Sequence, residues 1–284
     1  MPMPSTFILP NGNPLLPCIV IAIGLSGCAS AKLETAGSLS DYKGMVEANG
    51  TIAKSRQRIE TADVMAAKTV TIVPTSFSAA ASGDTLTEKQ RSIVANAVDR
   101  SVCIGLSDRF QVVAPGQSAD LTIHTKITHV TVTDVKIAAA SKVVSAVPMF
   151  LSLGAPVPVP RIPAGMGTLS IEAEALNVEG QQKAAMLWAR GTDILTGKPR
   201  VSAAGDAYDL ASVYGDDFSK FLVTGKNPYK AGLSLPTMQK MKSSLGGTPK
   251  YAACDEFGRA RIANLVAGGL GAAPEWLDKG GAHP

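Results

Sequence analysis

The sequence contains little of the residue types on which local catalytic and metal-binding motifs depend. Only three of its 284 residues are histidines and four are cysteines. It has no CxxC pair, Cys/His cluster, P-loop, Rossmann fingerprint, Gly-x-Ser-x-Gly or His-Glu-x-x-His. These absences leave a metal centre, thioredoxin-like chemistry and the common hydrolase sites without support. We therefore predict no catalytic residue, no metal and no cofactor, and expect that the protein is not an enzyme.

Aromatic and charged residues are also scarce, at 5% and 18%, whereas 45% of the residues are hydrophobic. That balance excludes wholesale disorder and predicts a core filled by Ala, Val, Ile and Leu. The net charge of +4 is concentrated between Lys226 and Arg261, which contains seven Lys/Arg against Asp255 and Glu256. Without interleaved aromatics or an arginine-rich helix, this segment does not predict nucleic-acid binding. It is either an ordinary solvated basic face or a contact with anionic lipid or peptidoglycan.

Residues 1–27 have no charged side chain, and their apolar run Leu15–Leu25 is too short to span a bilayer. The stretch Leu25-Ser26-Gly27-Cys28 that closes the run resembles a bacterial lipobox. The resemblance implies cleavage before Cys28 and lipidation of its thiol, and Ala29 favours sorting to the outer membrane. Because no Lys or Arg precedes the apolar run, an uncleaved tail with a chance cysteine is the alternative. We expect an outer-membrane lipoprotein that faces the periplasm and is held by lipid on Cys28.

Two thiols remain once Cys18 has left with the signal peptide and Cys28 is lipidated. Cys103 and Cys254 would then lie in an oxidising compartment, which favours a disulfide between them. The alternative is two unrelated buried thiols that pack as small apolar residues.

Downstream of the signal, composition and periodicity divide the chain into a tether (28–54), an α+β domain (55–225) and a basic C-terminal extension (226–284). A change of apolar phase near Thr128 predicts a β-bulge, and Gly225 is placed to end a helix. Ala138–Leu153 is apolar and forms either a helix or a packed loop. The order of elements predicts a mostly antiparallel sheet with helices packed on one face. The main elements are a short helix within Ser55–Lys68, a strand Thr69–Val73, a helix Leu86–Asp108 after a capping box Thr85–Glu88, a strand within Ala119–Ile137, a hairpin from Gly167 to Ile194 and a helix around Leu210–Leu222.

The residues that could take part in catalysis or metal binding do not converge on one site. Glu172 and Glu174 share one face of a predicted strand about 7 Å apart, a spacing compatible with acid/base work but also with the polar outer face of an amphipathic strand. His124 and His129 are five residues apart, so a regular strand points them to opposite faces. Asp216 and Asp217 are expected on a solvated helix face, and His283 lies near the C-terminus.

Four stretches together resemble a bacterial lipoprotein family catalogued only as domain of unknown function thirty-three thirteen. They are Gly37-Ser38-Leu39-Ser40-Asp41-Tyr42, the strand Thr69–Pro74, the strand Ala119–Thr131 and the strand Gly167–Glu174. Ser38 departs from the usual aromatic, and Asn177 from the Asp that commonly opens the hairpin turn. The resemblance covers about Gly37 to Thr224 and implies an envelope lipoprotein, with no reaction, ligand or catalytic residue.

Three functions remain open at this point. The first is a non-catalytic envelope accessory protein that binds an envelope protein, peptidoglycan or anionic lipid. The second is a periplasmic hydrolase whose site is assembled from distant residues, and the third is a small-ligand binding protein with a pocket beneath Ala138–Pro163. The scarcity of histidine and the lack of a nucleophile motif favour the first.

Overall fold

The computed structural model describes residues 31–83, 85–150, 161–195, 197–230, 236–260 and 262–281, without the side chains of 144–150. Cys18, Cys28 and His283 lie outside this part of the chain. Its strands are β1 Val46–Glu47, β2 Lys54–Ile59, β3 Thr69–Ile72, β4 Ser76–Phe77, β5 Gln111–Val113, β6 Leu121–Thr131, β7 Thr168–Leu176 and β8 Gln182–Gly191. Its α-helices are α1 Thr61–Ala66, α2 Glu88–Leu106, α3 Val135–Phe150, α4 Gly205–Thr224, α5 Met238–Ser244, α6 Ile262–Gly269 and α7 Pro274–Leu277, and 3-10 turns span Ala80–Ser82 and Ala252–Phe257.

The strands form one sheet in the order β1-β2-β8-β7-β6-β3-β5, with β4 also paired to β6. The four pairings from β1 through β6 are antiparallel, and those of β3, β4 and β5 are parallel. The predicted α+β class with a mostly antiparallel sheet is confirmed.

Helices α2 and α4 cover one face of the sheet and build the main core with it. The largest side chains there are aromatic: Trp188 of β8 meets Tyr214 edge-on, and Tyr214 stacks on Phe218 with centroids 5.6 Å apart. The two helices approach closely through small residues. A Cβ on Gly105 of α2 would overlap the Ser219 hydroxyl of α4, and a Cβ on Gly215 of α4 would overlap the Ser101 hydroxyl of α2.

Helix boundaries follow capping chemistry. α2 begins at Thr87, whose side chain accepts from the Gln90 N–H while the Gln90 side chain accepts from the Thr87 N–H. The capping box is therefore Thr87–Gln90, two residues beyond the predicted Thr85–Glu88. α4 ends at Gly225, which adopts φ +64°, as the sequence predicted.

Two local features of the strands differ in outcome. The register of β6 against β7 shifts between Ile127 and His129, so the bulge predicted at Thr128 is confirmed. The predicted helix within Ser55–Lys68 is wrong for its first half, because Lys54–Ile59 is a strand paired antiparallel to β8. Only Thr61–Ala66 is helical.

Both flanking segments pack on the domain where the structure describes them. Residues 31–54, assigned to a tether, contribute buried Ala31, Leu39 and Met45. Residues 236–281, assigned to an extension, place Cys254 and Phe257 in the main core. Lys240, Lys250 and Arg259 also bond within the chain, to Asp216, the Ser107 carbonyl and Asp255. Parts of both segments therefore pack on the sheet and on the helical layer.

Candidate functional site

The sheet face that α2 and α4 leave open is covered by residues 31–45, here called the strap. Leu39 and Met45 of the strap pack on Ala185 and Leu187 of β8, forming a second, smaller core. The strap crosses above β7, and the polar side chains of that strand point into it. β7 is therefore buried on both faces.

Glu172 is fully buried beneath the strap. Its carboxylate accepts from the backbone N–H of Ala36 at 3.2 Å and of Ser38 at 2.9 Å. The Tyr42 hydroxyl donates at 2.8 Å, and the Ser38 hydroxyl also donates. A buried carboxylate requires several donors to offset its lost hydration, and the strap supplies them.

Glu174, two residues on, receives the next part of the strap. Ser40 donates to it from both its N–H, at 2.8 Å, and its hydroxyl, at 3.1 Å. The Gln182 amide of β8 donates at 2.6 Å. The Arg58 guanidinium of β2 also holds the strap, by pairing with Asp41 at 2.9 Å.

The hydrogen bonds by which Glu172 and Glu174 hold the strap are here called the clamp. The pKa values of neighbouring groups are consistent with it. Burial raises the pKa of Tyr42, and its hydrogen bond to Glu172 adds to the rise. The Lys43 backbone N–H and the Arg58 guanidinium hold the pKa of Asp41 below its usual value. The Glu172–Glu174 pair is therefore neither the solvated strand face nor the acid/base pair that the sequence left open, since the chain itself occupies both carboxylates.

This clamp joins two stretches that the sequence resemblance identified separately. The Gly37–Tyr42 stretch donates, and the Glu-x-Glu of the Gly167–Glu174 stretch accepts. Ser38, where the sequence departs from the family's usual aromatic, contributes its own hydroxyl to Glu172. The signal available in the sequence was the pairing of a Ser/Tyr-rich segment with two strand carboxylates, although nothing in the spacing indicated that they meet.

A groove runs over the outward side of α2 and α4. A cavity of about 510 Å³ lies where these helices meet α5, lined by Gly105, Val223, Met241 and Leu245. The Lys240–Asp216 ion pair, 3.0 Å long, borders it. Asp216 and Lys240 also line a second cavity of about 300 Å³ further along, and the two neighbouring cavities together are called the groove.

The second cavity is bordered by ionic groups that the sequence pattern did not reveal. Arg100, in the buried stripe of α2, bonds to Asp278 at 2.7 Å and to the Tyr208 hydroxyl at 3.1 Å. Arg200 bonds to Asp209, whose pKa burial raises although Arg200 opposes the rise. The one sequence signal was an arginine within the apolar period of α2.

A further buried pair lies at the start of α4. Arg161 donates to both carboxylate oxygens of Asp206, which also accepts from the Gly167 N–H at 2.6 Å. This pair ties the start of β7 to the start of α4. Both side chains are about 1% exposed, so the pair is structural, and neither residue was singled out by the sequence.

The remaining candidate residues have the following positions. The bulge at Thr128 reverses the side-chain alternation, so His124 and His129 lie on the same face of the sheet. Their register partners on β7 are Glu174 and Ser170. The expectation of opposite faces is therefore wrong. Among the described residues no group of three or more His, Cys, Asp or Glu could hold a metal ion.

Asp217 is not the solvated residue that the sequence indicated. It accepts from the Trp188 indole N–H at 2.9 Å and from the Tyr229 hydroxyl at 3.1 Å. Burial raises its pKa, and the two donors oppose that rise. Asp216, in contrast, is exposed and pairs with Lys240.

Cys103 of α2 and Cys254 of the second 3-10 turn are joined, with Cα atoms 5.7 Å apart across 151 residues of sequence. The bond fastens the C-terminal segment to the helical layer. It lies in the main core.

The comparisons with known proteins agree with this architecture at the level of family. A model of the family described as "Protein of unknown function (DUF3313)" matches residues 34–218, which include most of the strap, the sheet and most of α4. The chain belongs to this family, and the resemblance noted in the sequence is confirmed. The sequence matches no curated protein.

Solved structures show a distant likeness. Two PelC dodecamers from Paraburkholderia phytofirmans, one of them a point variant, are 10% and 9% identical, each with a TM-score of 0.32. The alignments cover 58% of this chain and 95% or 96% of theirs. A DUF4136 family protein from Bacteroides thetaiotaomicron is 13% identical with a TM-score of 0.31, covering 61% of this chain and 97% of its own.

Proposed function

We propose that the protein is a lipid-anchored envelope protein, attached through Cys28 to the periplasmic leaflet of the outer membrane, with a non-catalytic binding role. The observation that carries the proposal is the clamp on the strap. Two buried carboxylates and a small apolar core hold the chain a few residues after the lipobox cysteine. A domain fixed in this way is held close to the point at which its anchor enters the membrane.

The binding role is supported by where the polar groups lie and which of them already have partners. Glu172 and Glu174, the pair most suggestive of chemistry, already accept hydrogen bonds from the strap. The groove over α2 and α4 instead offers apolar walls bordered by charged side chains such as Asp216 and Lys240. That combination of apolar lining with a few oriented charges suits recognition of a partner or ligand.

The anchoring step is tested by labelling with an alkyne fatty acid and separating inner from outer membrane. The wild-type protein should carry the label and fractionate with the outer membrane. Cys28→Ala should lose the label and no longer fractionate mainly with the outer membrane, whereas Ala29→Asp should keep the label and shift toward the inner membrane. A labelled Cys28→Ala protein contradicts the proposal.

The binding role is tested by photo-crosslinking in the envelope. A photoreactive residue at Met241, inside the groove, should yield adducts. The same residue at Val178, which is exposed at the tip of the β7–β8 hairpin, serves as the control and should yield none. Adducts to a protein, to peptidoglycan fragments or to lipid identify the partner class, and equal labelling at the two positions contradicts a role for the groove.

A small-ligand binding protein is the second candidate. The cavity of about 510 Å³ is large enough for such a ligand and lies between α2, α4 and α5. The sequence placed a pocket elsewhere, beneath Ala138–Pro163, of which 151–160 lie outside the described residues. Native mass spectrometry of protein purified without detergent exchange distinguishes this candidate by a bound mass that Val223→Phe, which places a larger side chain in the cavity lining, removes.

A further inference from the structure

We infer that helices α3 and α6 form a membrane-contacting surface, which seats the anchored domain on the lipid bilayer. The inference rests on the proposed lipid anchor, which it deepens by naming the part of the fold that touches lipid. Three observations support it: an apolar helix face turned outward, the place where the anchored chain joins the domain, and the charge around that place.

Helix α6 presents its apolar side to solvent. Asn264 and Gly268 share the inner side: the Asn264 amide donates to the Leu277 carbonyl at 2.5 Å, and Gly268 packs against the Arg200 guanidinium. The opposite side and the turn after it carry Ile262, Val266 and Leu270, which are 62%, 60% and 78% exposed, whereas Leu265, 37% exposed, lines the second cavity. Amphipathic helices of a soluble domain ordinarily turn that side to the core.

Neighbouring helices extend this surface. The Lys142 ammonium of α3 donates to the Gly269 carbonyl at 2.5 Å, which fixes α6 beside α3. Next to Lys142, Val143 is 68% exposed, and α3 as a whole is apolar apart from two lysines and two serines. Helix α7 contacts α6 and exposes Trp276. Among the described residues no helix is both long and apolar enough to cross a bilayer, so the contact is one that lies on the surface.

The anchored end of the chain joins the domain at this same end of the sheet. The Lys32 carbonyl accepts from the Ser170 hydroxyl at 2.7 Å, two residues into β7. There Thr168 pairs with Thr131, which leads into α3. The loop before α4 lies at this end too, and its Val201 donates to the Gly271 carbonyl just after α6.

Covalent geometry then limits the distance to the lipid. Cys28 precedes Ala31 by three residues, which span at most about 11 Å. Ala31 is itself buried on the domain. A lipid on Cys28 therefore brings the bilayer within reach of α3 and α6, whereas the hairpin tip at Val178 lies at the opposite end of the sheet.

The charge at this end favours lipid over a second copy of the chain. Lys142 and Lys198 lie near the buried Arg200–Asp209 ion pair, and burial, followed by the Arg200 and Lys198 cations, lowers the pKa of Lys142, while Asp209 opposes the shift. Lys32 and Lys136 are also exposed at this end. An apolar strip among cations complements a leaflet that contains anionic headgroups, and two copies placed face to face would repel each other.

The chain carries its own probe for the experiment. Its two tryptophans are Trp188, fully buried, and Trp276, 72% exposed beside α6. Mature lipidated protein is reconstituted into phosphatidylethanolamine/phosphatidylglycerol vesicles with and without brominated acyl chains. Bromine should quench Trp276 and leave Trp188 unaffected, so Trp276→Phe protein should show no quenching.

Binding without the anchor gives the second measurement. In full-length Cys28→Ala protein, Val266→Asp combined with Leu270→Asp should lower sedimentation with anionic vesicles about tenfold, because both apolar side chains lose their lipid contact. The matched control Val178→Asp changes an equally exposed valine at the other end of the sheet and should bind as the parent does. Positions 178, 266 and 270 are all exposed, so circular dichroism should show unchanged folding.

The outcomes separate the two proposals. Lipidated protein of confirmed mass whose Trp276 is not quenched overturns the membrane surface and leaves the anchor standing. An unlipidated wild-type chain whose Trp276 is still quenched overturns the anchor and supports the surface. A blue shift of Trp276 without vesicles, together with a doubled mass in analytical ultracentrifugation, overturns the lipid assignment in favour of a second copy.

Discussion

The two faces of the sheet are held by different physical means. On the helical face, β7 contributes Leu169, Ile171, Ala173 and Ala175 to an apolar core shared with α2 and α4. On the strap face the intervening residues, among them Ser170, Glu172 and Glu174, are equally buried but are satisfied by hydrogen bonds. Apolar burial is non-directional and tolerates approximate packing, whereas each bond to a buried carboxylate needs its donor in place. The helical face therefore sets stability, and the strap face sets where the N-terminal segment lies.

The largest expected effect is on the helical face. Phe218→Ala should lower the free energy of unfolding by about 3–5 kcal/mol, because it leaves a cavity between Tyr214 and Phe221. Urea unfolding measures the change. Val178→Ala, at an exposed position, is the control and should shift stability by less than about 0.5 kcal/mol.

Next in size is the disulfide. Cys103→Ser combined with Cys254→Ser should cost about 2–4 kcal/mol, since the bond closes a loop of 151 residues in the unfolded chain. Reduction of the wild-type protein should produce the same shift of the urea midpoint. An unchanged midpoint after verified reduction contradicts the linkage.

The strap face should respond locally and less strongly. Glu172→Gln replaces one acceptor oxygen by an NH₂ group that confronts the donors of Ser38 or Tyr42, at a cost of about 1–3 kcal/mol. Amide exchange at Ala36, Ser38 and Ser40 should accelerate, while amides of α4 stay protected. Glu179→Gln, on the exposed hairpin turn, should change neither, and uniform acceleration throughout the domain contradicts a local clamp.

The smallest expected effect is on the pH dependence of stability, to which Asp41 and Asp217 contribute with opposite signs. Asp41 has a lowered pKa, so its contribution to stability is present above the unfolded pKa of about 4 and is lost as the pH falls through the lower folded value. Asp217 has a raised pKa, so its contribution is complete below about pH 4 and is lost as the pH rises through the higher folded value. Urea midpoints from pH 3 to 7 should show that Asp41→Asn removes the first dependence and Asp217→Asn the second, and parallel profiles contradict this assignment.

The helical face could be predicted from the sequence because the patterns that specify it lie among neighbouring residues of the chain. The apolar period of α2, the glycine after α4 and the change of phase at Thr128 each indicate structure from neighbouring residues alone. The boundary of α2 was displaced by two residues, since Thr85 with Glu88 and Thr87 with Gln90 both fit a capping box and the second one forms.

The strap and the ionic pairs could not be predicted because their partners are remote in sequence. Ser38 and Glu172 are 134 residues apart, and Arg100 and Asp278 are 178 apart. An alternating strand with outward carboxylates ordinarily indicates a solvated face. Only the presence of the strap converts that face into a second buried layer, and its few apolar residues resemble those of a linker.

The close serine–glycine contacts between α2 and α4 also determine how these helices are aligned. Gly105 faces Ser219 and Ser101 faces Gly215, each pair one turn from the other. Sliding one helix by a turn, about 5.4 Å, would oppose either two serines, which crowd, or two glycines, which leave a void. The alignment therefore has a single favourable setting, and a substitution at either glycine would move the groove walls by altering the separation of the helices.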